Sequence, residues 1–220
     1  MTEENEMNST NANTNTQMVH TAVYDTLADW EVGLAIAHIN RKQWQREPGR
    51  YRIVTVGLTR DEVTTMGGVR INPDITLDEL HPNDTAMLIL PGADTWLDGS
   101  NARFATKARE LLEADVPVAA ICGATAGLAG EGLLDDRRHT SNAAEFLAGT
   151  GYAGGDRYVD APAVTDRNVI TASANAPAEF AREVLATLEV YAPSVLESWY
   201  KLYGQHDAAG FFELMASTDA

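Results

Sequence analysis

Cys122, the single cysteine of the chain, stands where chemistry is easiest to imagine. It directly follows the apolar run VPVAAI (116–121) and directly precedes the small-residue stretch GATAGLAGEGLL. A strand that passes into a helix through one residue forces that residue into a strained backbone conformation. The neighbours two places away on either side must then be small, and here they are Ala120 and Ala124. A thiol at a helix N-terminus meets unpaired N–H groups and the positive end of the macrodipole, which lower its pKa and raise the thiolate fraction. The plain alternative is a small buried apolar residue, as many free cysteines are.

Two other stretches supply groups that could act on such a thiol. ILPGAD (89–94) sets Pro-Gly-Ala just beyond an apolar run, where open parallel sheets hold their ligands. Backbone N–H groups of Gly92 and Ala93, with that of Gly123, would stabilise an oxyanion there; otherwise Pro-Gly is an ordinary turn. Asp29-Trp30-Glu31 places two carboxylates at a helix start. They either cap the helix and pair with its dipole, or one of them serves as general acid and base beside the thiolate. Trp30 and Trp96 flank these motifs and either wall a small pocket or belong to the core. Asp94 and Thr125 could hydrogen-bond at the same pocket.

The elements that must position these residues alternate in type. Residues 18–24 read as a first strand, and Asp29 opens a helix that continues to the Glu-Pro-Gly stop at 47–49. Residues 52–58 form a β-branched second strand, and VTTMGGVRI (63–71) a hairpin turning at Gly67-Gly68. AMLIL (86–90) is a continuous apolar run, as expected of a parallel strand covered on both faces. A helix over 101–114, the strand 116–121, the elbow helix, a last strand at 169–172 and helices at 178–191 and 194–203 complete the body. AAGFFELMAS is a further apolar helix that docks on the body or on a second subunit. Alternating strands and helices predict an α/β fold with a doubly wound, mostly parallel sheet.

Composition narrows the class. A chain of 220 residues fits one domain able to bury about 70% of its unfolded surface. The domain is expected over 18–205, after a disordered polar tail at 1–17 and before a C-terminal extension at 206–220. The net charge of −16 argues against nucleic acid and anionic membranes as partners. One cysteine excludes an internal disulfide framework, and no two histidines have metal-ligand spacing with a carboxylate. No apolar segment approaches a membrane span, and the tail has no leader character; the expected address is the cytoplasm. His20, His38 and His81 read as structural or surface residues.

Together AAICGATAGLAGEGLLDDRRHTSN, LILPGADTW, YDTLADWE and NVITASANAPAEFA resemble the ThiJ/PfpI family, in the expected order over most of 18–191. That family includes the parkinsonism-associated protein deglycase and belongs to the class I glutamine amidotransferase-like superfamily. The resemblance implies a flavodoxin-like three-layer sandwich, with helices on both faces of the sheet and a nucleophile elbow at Cys122. It also implies a glutamate at the start of the first helix, which falls on Glu31, and a homodimer. The family's Gly-Gly turn falls on Gly92-Ala93. Three departures bear on the chemistry. Gly123 stands where many members carry histidine. Asn142 stands where deglycase-like members carry another, and His139 lies off that register. No late His-x-Glu pair of the amidotransferase kind follows Cys122.

A Cys122–Glu31 pair without histidine fits cofactor-free glyoxalase or hydratase chemistry on a small electrophilic carbonyl compound better than peptide or amide hydrolysis. A reading of a different class is a redox sensor or stress-protective protein in which Cys122 is reversibly oxidised.

Overall fold

The computed structural model describes residues 16–217. Its strands are β1 (Gln17–Ala22), β2 (Tyr51–Gly57), β3 (Val63–Thr64), β4 (Arg70–Ile71), β5 (Ile75–Thr76), β6 (Thr85–Leu90), β7 (Val118–Ile121), β8 (Ala163–Asp166) and β9 (Val169–Ala172). The helices are α1 (Asp29–Asn40), α2 (Ala102–Glu113), α3 (Gly123–Gly130), α4 (Ala144–Ala148), α5 (Pro177–Thr187), α6 (Pro193–Tyr203) and α7 (Ala209–Ala216). Seven strands form one sheet in the order β5-β2-β1-β6-β7-β9-β8, parallel except for β8, while β3 and β4 make a separate antiparallel pair. This is the expected flavodoxin-like α/β sandwich. The predicted polar tail falls outside the described residues except for its last two, and Gln17 already pairs with Tyr51.

Strict alternation along fully buried strands explains the two layers of core. On β6, Met87 and Ile89 face one layer while Leu88 and Leu90 face the other. The first layer gathers Val32, Ala35 and Ile39 of α1, Phe180 and Val184 of α5, Trp199 of α6 and Leu214 of α7. The second gathers Phe104, Ala108 and Leu111 of α2 with Ala124 and Leu128 of α3. α7 reaches α6 closely because Gly210 lies against the Ser198 carbonyl.

Four elements depart from the sequence expectation, among them the short helix α4, which has no counterpart there. α1 ends at Asn40, well short of the Glu-Pro-Gly stop, because the Gln45 side-chain amide reaches back to the carbonyls of His38, Ile39 and Arg41 at 2.9–3.0 Å. That side chain satisfies the end of the helix from outside it. β8 was not foreseen: it joins β9 through Arg167-Asn168, with Arg167 at φ 53° and no glycine to signal a tight turn. β5 is two residues long and carries no readable period.

The elbow helix is packed from beneath by Trp96. A Cβ built on Gly127 would lie 2.2 Å from the indole, whereas one on Gly130 meets nothing within 4 Å. Helix propensity alone favours alanine at both sites by up to about 1 kcal/mol. Gly130→Ala is therefore expected to stabilise the protein slightly, and Gly127→Ala to destabilise it by about 1–3 kcal/mol through overpacking. Urea denaturation of the two variants checks the opposite signs.

Candidate active site

The carboxyl ends of β1, β6, β7 and β9 converge on Cys122. Its backbone lies at φ 57°, ψ −124°, the strained left-handed side of the map, and its N–H donates to the Ala172 carbonyl at 3.0 Å. Ala120 and Ala124 are fully buried on either side. The thiol itself is half-buried.

Glu31, the third residue of α1, has no exposed surface. Gly92, just after β6, accepts a hydrogen bond from the Ala28 N–H at 2.9 Å and donates its own N–H to Glu31 Oε2 at 2.6 Å. The other oxygen, Oε1, is buried without a hydrogen-bond partner of regular geometry. Gly92 is also the point where carboxylate and cysteine meet: a Cβ there would lie 2.8 Å from Cys122 Cβ, 2.8 Å from Glu31 Oε2 and 2.9 Å from Oε1. Burial raises the Glu31 pKa to about 7, against the lowering effects of the Gly92 N–H and the thiol.

The sequence expectation for the thiol itself is reversed. Burial pushes Cys122 up to about 11, and the neighbouring Glu31 adds to the rise. Hydrogen bonds from Asn142 and the Gly123 N–H pull the other way without overcoming them. Desolvation of a thiolate beside a carboxylate thus outweighs the favourable helix terminus. At neutral pH the resting sulfur is a thiol.

Asn142 donates from Nδ2 to Cys122 Sγ at 3.3 Å, and its Oδ1 accepts from the Ala174 N–H at 2.9 Å. Thr125 is fully buried in the first turn of α3 and donates to the Cys122 carbonyl at 2.6 Å. Its single hydroxyl proton being used, Ser141 donates to Thr125 Oγ1, also at 2.6 Å. The segment bearing Asn142 is thereby tied to the elbow. Ser141 and Ala174 carry no sequence signal, since one is a common hydroxyl and the other acts through its backbone.

Several expected participants lie elsewhere. Asp29 accepts from the Gly67 N–H at 2.7 Å and so pins the β3–β4 hairpin to α1, away from the thiol. The Gly92 N–H is occupied by Glu31 and the Gly123 N–H already bonds the Cys122 sulfur, so neither of these two expected oxyanion donors is free in the resting site. Trp96 is buried: its indole N–H is shared between the Pro91 carbonyl at 2.9 Å and the Tyr24 hydroxyl at 3.0 Å, so it backs the elbow instead of walling a pocket. Tyr24 in turn donates to the Pro91 carbonyl. Trp30 is 54% exposed, with Nε1 donating to the Ala174 carbonyl at 3.2 Å, a rim position. The Asp94 backbone N–H donates to Thr26 Oγ1 at 2.9 Å, and nothing brings its carboxylate to the sulfur. His139 is buried between the Arg137 carbonyl and the Tyr152 hydroxyl. Among the described residues no group of three or more His, Cys, Asp or Glu side chains is arranged to hold a metal ion. Nor is any helix there long and apolar enough to cross a membrane.

A cleft of about 740 Å³ opens beside the sulfur, with Asn142 and Ser141 on its near wall and Glu145, Tyr158, Asp160 and Glu179 among its other lining residues. Cys122 is not itself part of that lining, so Asn142 is the residue common to cleft and thiol.

Similarity to known proteins identifies the class to which this α/β sandwich belongs. The sequence model of the DJ-1/PfpI family matches residues 17–187, and the chain belongs to that family. It is 42% identical to "Uncharacterized protease YoaZ" of Bacillus subtilis (strain 168), over 91% of this chain and 97% of that protein. A crystal structure of a thiJ/pfpI family protein from Bacillus anthracis superposes with a TM-score of 0.87 at 40% identity, covering 93% of this chain and 98% of that one. "Deglycase TK1284" of Thermococcus kodakarensis is 25% identical over 55% of this chain and 72% of its own length.

The raised pKa of Glu31 carries a stability consequence. Its folded-state value of about 7 lies above the ordinary carboxyl value of 4.5, so the folded protein binds the extra proton. That contribution is fully present below about pH 4.5 and is lost as pH rises through 7. Glu31→Gln is therefore expected to be more stable than the wild type at pH 8, by on the order of 2 kcal/mol. The difference should vanish near pH 4, and thermal melts across that range measure it.

Proposed function

We propose that the protein is a cofactor-free cysteine enzyme acting on small electrophilic carbonyl compounds, with Cys122 as nucleophile and Glu31 as the group that removes and returns protons. The observation that supports it best is the fully buried Glu31 carboxylate against the half-buried elbow thiol, with one carboxylate oxygen unpartnered. A pKa of about 7 suits a group that must act as base and then as acid near neutrality. The family's members include proteins named for protease and deglycase activities, and hydrolytic chemistry at this site is consistent with those names.

The chemistry follows from a resting thiol. Sγ attacks an aldehyde carbon as Glu31 takes the thiol proton; a C–S bond forms and the C=O π bond breaks. The new alkoxide, stabilised by the Ala93 N–H, receives that proton back and gives a hemithioacetal. With a 2-oxoaldehyde, Glu31 next removes the proton from the carbon bearing sulfur and delivers it to the neighbouring carbon through an enediol, leaving a thioester. Water cleaves the thioester, releasing the thiol and a 2-hydroxy acid. The net reaction is addition of water with internal redox balance, so no external oxidant or cofactor is required. A thiol held at about 11 offers little resting thiolate to peroxide, which disfavours the redox-sensor alternative.

Incubation with methylglyoxal is expected to yield lactate, with turnover rising as pH passes through about 7 and Glu31 becomes a base. Cys122→Ser should abolish turnover, and Glu31→Gln should lower it by about 100-fold or more. A wild-type protein that forms no lactate or related hydroxy acid from 2-oxoaldehydes overturns this reading.

A further inference from the structure

We infer that Asn142 is a catalytic residue that holds the sulfur as a one-way hydrogen-bond donor: it stabilises the developing thiolate and leaves Glu31 as the sole proton carrier at the site. This rests on the cysteine-nucleophile reading above and specifies how that nucleophile is controlled.

The amide orientation is fixed by its surroundings. The Ala174 N–H can only donate, so the atom of Asn142 that meets it at 2.9 Å is the carbonyl oxygen. The remaining end, Nδ2, then faces Sγ at 3.3 Å with its N–H groups. A flip would set two donors against each other at Ala174 and present an oxygen to a thiolate. The segment cannot easily drift either, because the adjacent Ser141 is bound to Thr125, which in turn holds the Cys122 carbonyl. Donor and sulfur therefore move as one unit.

The chemistry of an amide makes this arrangement directional. A hydrogen bond to an ionised group is about twice as strong as one to its neutral form, so the contact strengthens as the proton leaves sulfur. An amide neither takes nor gives a proton at accessible pH. Of the groups around the sulfur, Glu31 is left to carry the proton both ways, and Oε1 is the oxygen free to do so. A histidine at this position would instead compete for the same proton.

The test is the rate of Cys122 alkylation by iodoacetamide, which requires no substrate and has a single thiol to read. At pH 8, Asn142→Ala is expected to react about tenfold or more slowly than the wild type. Asn142→Asp should be slower still, since it keeps an acceptor for the Ala174 N–H but sets a negative charge on the thiolate. That variant retains the backbone anchor and so decides the question if Asn142→Ala fails to fold, as judged by circular dichroism. Asn142→His should restore reactivity above Asn142→Ala and make it depend on the ionisation of the new imidazole. Rates for folded Asn142→Asp equal to or above the wild type overturn the inference. Absence of methylglyoxal turnover with the expected order of alkylation rates would overturn only the functional reading.

Discussion

The site depends on a close approach at Gly92. Its carbonyl holds the start of α1 through Ala28, its N–H holds the Glu31 carboxylate, and its missing side chain leaves the space in which that carboxylate meets Cys122. Any Cβ there would lie under 3.0 Å from both partners. The first helix, the turn after β6 and the nucleophile elbow therefore form one rigid junction. Its geometry is set by backbone hydrogen bonds and steric exclusion, which do not reorganise during a reaction. The doubly covered sheet beneath supplies what this junction needs, three adjacent strand ends held in register by cores on both faces.

Much of this junction is legible in the sequence because it is local. An apolar run, one cysteine and a small-residue stretch announce the elbow without further information. Pro-Gly after a second apolar run marks the place where another element comes close. The two carboxylates of α1 were not separable by type, but helical geometry separates them. Residues two apart point about 200° away from each other around the axis, so Asp29 meets the hairpin while Glu31 meets the thiol.

What the sequence hid is non-local or acts through groups without a pattern. Ser141 and Ala174 reach the elbow through a hydroxyl and a backbone N–H. Trp96 flanks a motif in the chain, yet its ring fills the notch above Gly127 and belongs to the core. The turn before β9 uses an arginine at positive φ where glycine would have signalled it. The electrostatics of the thiol are hidden from the sequence for a related reason. A helix terminus can be recognised from a single segment, whereas burial beside Glu31 is a property of the assembled fold, and burial wins.

That last feature has a meaning for the chain as a material. In the unfolded polypeptide Cys122 would titrate as an ordinary thiol, near 9.0, below its folded value of about 11. Folding therefore quiets the sulfur toward indiscriminate electrophiles, and the partners that quiet it come from segments far away in the chain. By ionisation alone, the thiol of an unfolded molecule is the one more open to alkylating agents.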